Sequence, residues 1–393
     1  MLRRSGPMLR RSLQRRMSML AVECHKYAER SRDAVRVSHV SLPPSAPPPH
    51  KVLIDVLAAG ADFVQILLHQ GKYQVRAKPP FVLGAEVVGR VRAIGDATEP
   101  AAASAAGGAA GGAPPAGKLA KLAVGDLVTA SPSLSNYGGW AEQVEVERSS
   151  IVRLPPHMDP VDAPSRYSYC TSLHALQGRA KLQRGETLLV LGASGGVGST
   201  AVELGKMMGA KVIAAASSDE KLAACRALGA DLTINYEAED LKHRLREMTD
   251  GRGVDVVYDP VGDRFAEPAA RSLAWRGRYL VVGFAAGAIP KIALNLILFK
   301  EAMLMGSMLS EFHRHAPAEA APEQRQFEQM IAQGKLKPLV SAVYPMMDPD
   351  SAIAALDDLR ERRAKGKVML VTPKYMAEYP ERQLVAVEKT HTT

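Results

Sequence analysis

The sequence predicts an α/β protein, a doubly wound parallel sheet joined to a smaller β-rich domain. Three observations carry that expectation. From Thr187 to Phe284 short apolar runs alternate with helical stretches. A glycine-rich turn follows the first of those runs, and the residues before Pro155 read as short alternating strands cut by Gly and Pro.

Taken in order, Ala34–Val40 and Lys51–Ala59 alternate apolar and polar residues and are expected to open the β-rich domain as two antiparallel strands. The Pro-dense segment SLPPSAPPPH between them cannot lie in a central strand. Further strands are expected at Glu86–Ile94, Leu127–Ala130 and Glu142–Val146. Residues 97–118, almost wholly Ala, Gly and Pro, have too little side chain to offset the entropy of ordering them and read as a surface insertion. Strand and helix then alternate. Strands are predicted at Thr187–Gly192, Lys211–Ala216, Leu232–Asn235, Val254–Tyr258 and Tyr279–Phe284. Helices are predicted at Val197–Met208, Asp219–Leu228, Ala238–Met248 and Glu267–Ala274. This order demands a parallel sheet with helices on both faces. Helices near Pro322–Gln333 and Pro349–Arg363, and a strand at Lys367–Val371, are assigned back to the first domain. The expected domains are therefore 34–167 with 313–371, and 168–312, followed by a tail at 372–393.

The 393 residues allow two folded units. Cys24, Cys170 and Cys225 are far apart, which supports neither a disulfide framework nor a cysteine-built metal site. Leaving out the six arginines of residues 1–20 takes the formal charge from +9 to +3, so the body gives little support to a nucleic-acid partner. That acid-free start, MLRRSGPMLRRSLQRRMSML, has the composition of a cleaved transit peptide and points to the mitochondrial matrix. The alternative is a basic tail on a cytoplasmic protein. No stretch reaches the roughly 20 apolar residues of a membrane span.

The most informative segment runs from Leu188 to Gly198. It holds Ala193-Ser194-Gly195-Gly196-Val197-Gly198 between a predicted strand and a predicted helix. Backbone N–H groups at Gly195 and Gly196 are expected to approach a pyrophosphate, while Gly198 allows the helix to close on the strand. At the end of the next strand, where an acidic residue would bond an unphosphorylated ribose, stand Ser217 and Ser218, with Lys221 beyond. These groups favour a 2′-phosphate, hence NADPH. Two readings stay open for Lys221, a phosphate ligand or a solvated helix residue. Asp219 either opposes the phosphate or caps the helix that begins there.

With these residues in hand, the chain resembles the medium-chain dehydrogenase/reductase superfamily, and within it the zinc-free quinone oxidoreductase (zeta-crystallin-like) branch. The resemblance runs from about Ala34 to Val371. It rests on Gly71-Lys-Tyr-Gln74, Pro80-Phe-Val-Leu-Gly84-Ala-Glu86, Gly138-Gly-Trp-Ala-Glu142, the glycine loop, Ile234-Asn-Tyr236, Gly253 to Gly262, and Gly366-Lys-Val368. It implies a GroES-like β-rich catalytic domain and a Rossmann domain with the active site in the cleft between them. It further implies Tyr236 beside the 2′-phosphate, and Gly283, Phe284, Tyr169 and Thr171 on the nicotinamide side. Each has a plainer reading: Phe284 as core, Tyr236 as a half-buried strand residue, Thr171 as a helix N-cap.

Zinc-containing relatives carry ligands where this chain has Gly60-Ala-Asp62 and Gly84-Ala-Glu86, so no metal is expected. The resemblance points to Tyr73 as a hydrogen-bond donor to a substrate oxygen. It places Asp62 where an asparagine is usual, and an ionised carboxylate cannot donate. Tyr169-Cys170-Thr171 and Gly262-Asp263 are two further departures. The expected activity is NADPH-dependent reduction of a small quinone or enone, with an alkenal or enoyl double-bond reductase as runner-up. A nucleotide-binding scaffold or an RNA-binding protein is the alternative of another class. A homodimer is implied through a sheet edge at Leu304–Met308.

Overall fold

The computed structural model describes residues 18–73, 76–95, 122–132 and 138–386. The Arg-rich residues 1–17 and the insertion at 97–118 lie outside the described residues. Leu20 and its neighbours Ser18 and Met19, counted with the transit peptide above, belong to the first strand instead.

β1 (Ser18–Cys24) pairs antiparallel with β2 (Val35–Ser41), and on its other side with β4 (Phe81–Val82), in a three-stranded sheet. The second sheet is built around β3 (Lys51–Ala61), whose sequence KVLIDVLAAGA is buried on both faces. It lies between β16 (Lys367–Val371) and β5 (Val87–Ile94). β15 (Val340–Pro345) extends the sheet beyond β16. β6 (Leu127–Ala130) and β8 (Ile151–Arg153) extend it beyond β5, while β7 (Gln143–Glu147) pairs with β3. The expected pairing of Ala34–Val40 with Lys51–Ala59 is thus wrong, although both are strands. One edge of β3 is already taken by β5 and the other by β7 and then β16, and β2 finds its partner in β1.

The third sheet is parallel, in the order β11-β10-β9-β12-β13-β14. Its strands are β9 (Thr187–Leu191), β10 (Lys211–Ala216), β11 (Leu232–Asn235), β12 (Val254–Asp259), β13 (Leu273–Val281) and β14 (Met303–Gly306). This is the doubly wound order the alternation demanded. β13 starts at Leu273, inside the predicted helix Glu267–Ala274, and stops at Val281, so Gly283 and Phe284 follow the strand rather than end it. β14 is the edge strand, with Met303 and Leu304 exposed.

One apolar core runs across the two units, packing Leu57, Ala58 and Val88 of the β-rich sheet with Leu188, Val190 and Phe327. The fold also takes up residues beyond 371. Helix Pro373–Glu378 buries Tyr375 completely and points its hydroxyl at Asp159 Oδ1, 2.9 Å away. No helix among the described residues is long and apolar enough to cross a membrane.

Candidate active site

The glycine loop leaves β9 and enters helix Gly196–Met207, as the spacing predicted. Gly195 is the N-cap, its N–H bonded to Gly192 O at 2.9 Å. The next intrahelical bond runs from Ser199 N to Gly195 O, so the N–H groups of Gly196, Val197 and Gly198 have no acceptor among the described residues. Three orphan donors and the positive end of the helix form a cradle for an anion. Ala193 is buried and bonds to Ala215 O of β10. Ser194 O accepts Gly366 N at 2.6 Å, which ties the loop to the end of the catalytic unit just before β16.

At the end of β10 the predicted phosphate side assembles. Lys221 Nζ donates to Ser217 Oγ at 2.9 Å and to Arg362 O at 2.5 Å. Tyr236 packs against Phe265 with ring centroids 4.1 Å apart; burial opposes the ionisation of its hydroxyl, and Ser217 lies close enough to ease it. Burial first, and the Arg362 cation second, push the Lys221 ammonium below its usual range. The helix cap is Ser218, which accepts Lys221 N; Asp219 does not cap, and instead accepts from Asn235 Nδ2 at 3.1 Å. Lys221 is therefore no freely solvated helix residue.

Arg362 was missed by the sequence reading. It comes from the catalytic unit, after helix Pro349–Arg360, with φ 57°, and its Nη2 reaches Ala286 O at 3.4 Å. Its charge acts on both Lys221 and Tyr236. Lys365 on the same loop pairs with Glu220.

On the other side of the cradle the outcomes are mixed. Tyr169 is deeply buried, and its hydroxyl donates to Glu203 Oε2 at 2.5 Å. The side chain is turned into the core, so its hydroxyl is committed to Glu203 and not free for the nicotinamide side on which it was expected. Tyr169→Phe should cost about 1–3 kcal/mol of stability by leaving Glu203 short of a donor. NADPH affinity should be unchanged, which thermal unfolding and a fluorescence titration check together. Thr171 lies inside the helix, whose N-cap is Ser165, and its buried Oγ1 has no partner. That orphan hydroxyl suits a ligand rather than a cap. Phe284 is 40% exposed and is no core residue; Gly283 lies so close to the loop after β12 that an added Cβ would sit 3.3 Å from Pro260 O. Asp263 adopts φ 54°, the left-handed region that glycine enters without cost. Cys170 is sealed in, and burial pushes its thiol up to about 12.

Asp62 follows β3 and caps helix Phe63–His69, its Oδ1 accepting Val64 N at 3.0 Å and Gln65 N at 3.3 Å. Burial, then the nearby Glu86 charge, push its carboxyl up to about 6 against the pull of those hydrogen bonds. Glu86 is buried and accepts Tyr167 N at 3.4 Å. Tyr73 is half-buried, its hydroxyl without a partner among the described residues. Burial and the Asp62 charge push that hydroxyl up, so it is a neutral donor. Tyr167 is likewise pushed up by burial, then by Tyr73 and Asp62, which places these three groups together.

A catalytic zinc needs about three protein ligands. Asp62 Oδ1 is committed to the helix cap, and no group of three or more His, Cys, Asp or Glu side chains that could hold a metal occurs among the described residues. Asp62 and Glu86 alone do not fit one.

Comparison with known proteins agrees with this architecture. Residues 196–324 match the zinc-binding dehydrogenase family and residues 48–156 the alcohol dehydrogenase GroES-like domain. The chain is 31% identical over 325 residues to the quinone oxidoreductase-like protein 2 homolog of Nematostella vectensis, covering 82% of each. A probable oxidoreductase from Mycobacterium abscessus shares the fold with a TM-score of 0.74 and 33% identity, over 90% of this chain and 99% of that one. A mycobacterial protein complexed with NADPH aligns with a TM-score of 0.74 and 27% identity, over 90% and 100%. With its glycine cradle, its GroES-like sheet and these relatives, the chain belongs to the medium-chain dehydrogenase/reductase superfamily, in the quinone oxidoreductase branch.

Proposed function

We propose that the protein is a zinc-independent, NADPH-dependent reductase of quinones or related conjugated carbonyls. The observation that carries this reading is the cluster of Ser217, Lys221, Tyr236 and Arg362 at the end of β10, cations and hydroxyls gathered where the nearby acids, Glu220 and Glu237, are ion-paired with Lys365 and Arg264. Such a cluster selects a phosphorylated ribose over a bare one. The orphan N–H groups of Gly196 to Gly198 would take the pyrophosphate. NADPH, when bound, supplies the hydride, and the protein supplies placement and electrostatics.

Within the cleft, Tyr73 keeps its proton and would donate a hydrogen bond to the acceptor oxygen as negative charge grows there. Tyr73→Phe should lower kcat by about tenfold and leave NADPH affinity intact, since one donor is lost and the ring's packing is kept. The direct test is NADPH and NADH binding to the full chain, followed by NADPH oxidation with quinones and enals. Preference for NADPH with quinone turnover supports the reading. Turnover of enals alone would move it to a double-bond reductase, and binding without oxidation of any acceptor would make it a scaffold.

Two further readings belong to the proposal. The exposed edge of β14 would pair two copies into a homodimer, which sedimentation tests. The arginines before Ser18 would direct import into mitochondria, which tagging the full chain and a chain without them tests.

A further inference from the structure

We propose that Asp62 works as a neutral carboxylic acid whose Oδ2 hydroxyl donates a hydrogen bond to the oxygen of the acceptor being reduced. The inference rests on the reductase reading and assigns the group that makes that site sensitive to pH.

The geometry divides the two oxygens of the carboxyl. Val64 N, Gln65 N and Gln65 Nε2 all point at Oδ1, at 3.0, 3.3 and 3.5 Å. Oδ2 receives no hydrogen bond and the residue makes no ion pair among the described residues. A carbonyl-like Oδ1 still caps the helix in the neutral acid, although more weakly than in the anion. The proton then sits on Oδ2, the oxygen with nothing else to bind. This split gives the neutral acid one acceptor and one donor, the donor turned away from the helix.

The surroundings disfavour the anion. Glu86, between β4 and β5, presses a like charge on Asp62. The cation in reach of Glu86 is Lys367 of β16, whose Nζ is bonded to Ala163 O at 2.7 Å. Tyr73, beyond the capped helix, and Tyr167, on helix Arg166–Leu173, are neutral neighbours, and Tyr258 of β12 acts on Tyr167 in turn. Burial and that like charge both raise the cost of ionising Asp62. An ionised Asp62 would accept only, and would repel the charge that develops on the acceptor oxygen. Only the neutral form helps, so activity should follow its population.

The test compares the full-length protein with Asp62→Asn, which keeps the cap acceptor and carries a donor that does not titrate. For the wild type, kcat/KM with a quinone should fall about tenfold per pH unit above a midpoint of about 6. Asp62→Asn should hold a level profile and overtake the wild type by about tenfold or more near pH 8. NADPH affinity should be the same in both proteins throughout. A level wild-type profile, or the same fall in both proteins, overturns the donor role alone. A protein that binds NADPH and reduces no acceptor at any pH overturns the reductase reading, and the donor role with it. If Asp62→Asn is inactive at every pH, infrared titration of the wild-type carboxyl decides. An acid carbonyl band lost together with activity sustains the proposal, and no such band in the active range overturns it.

Discussion

Gly198→Ala should weaken NADPH binding about a thousandfold and destabilise the nucleotide-binding unit. A Cβ at this position would lie 2.1 Å from Gly192 O and 2.9 Å from Ala193 Cα, both backbone atoms that no rotamer change can clear. Relief requires the start of the helix to move off the end of β9. The two features of the cradle that depend on this approach are the turn closed by Gly195 N on Gly192 O and the tie from Gly366 N to Ser194 O. Overpacking of this kind costs about 3 kcal/mol. The orphan N–H groups would move with the helix, so an affinity loss of a thousandfold, about 4 kcal/mol, is the expected scale. Gly196→Ala is the control. Its Cβ would meet nothing nearer than Ser168 Oγ at 3.7 Å, an ordinary contact, so the protein should keep its melting temperature and lose less affinity. Wild-type binding by Gly198→Ala would show that the cradle is not where the pyrophosphate sits.

What the sequence disclosed and what it hid follow from how each feature is encoded. The parallel sheet was legible because strands buried on both faces read as apolar runs of fixed length. β10 and β11 have the bounds the periodicity predicted. The glycine loop was legible because backbone approach leaves no choice of residue. Arg362 was not, since it stands in the run Arg360-Glu-Arg-Arg363, where any solvated helix end looks the same. Only the tertiary fold carries it across to Ser217 and Lys221. The Tyr169 hydroxyl's bond to Glu203 was hidden for the same reason, since the two residues are brought together by helices far apart in the chain. β1 was hidden because its first residues directly follow the Arg-rich start and were read as part of it. The partner of β2 was then unseen as well. At Asp62 the residue type was read correctly, but its use as a helix cap depends on where Val64 and Gln65 present their N–H groups.

The double variant Lys221→Ala with Arg362→Ala should convert a protein selective for NADPH into one that binds NADPH and NADH alike. Lys221 Nζ lies 2.9 Å from Ser217 Oγ and 2.5 Å from the Arg362 carbonyl, while the Arg362 guanidinium opposes it electrostatically. Two cations held together in this way are stabilised by an anion between them, and a 2′-phosphate brings nearly two negative charges. Each charge-assisted bond contributes about 1.5–3 kcal/mol, and neighbouring groups are not additive. A combined loss of about 3–4 kcal/mol, a few hundredfold in NADPH affinity, is therefore expected, with NADH affinity changed by less than about threefold. Salt should weaken wild-type NADPH binding and leave the variant indifferent. Because Arg362 belongs to the catalytic unit and Lys221 to the nucleotide unit, the single variants should also couple. Either loss alone removes part of what the other contributes to drawing the two units onto the cofactor. Equal weakening of NADPH and NADH would instead mean that the pair holds the domains together in the absence of any phosphate, and that selectivity is set elsewhere.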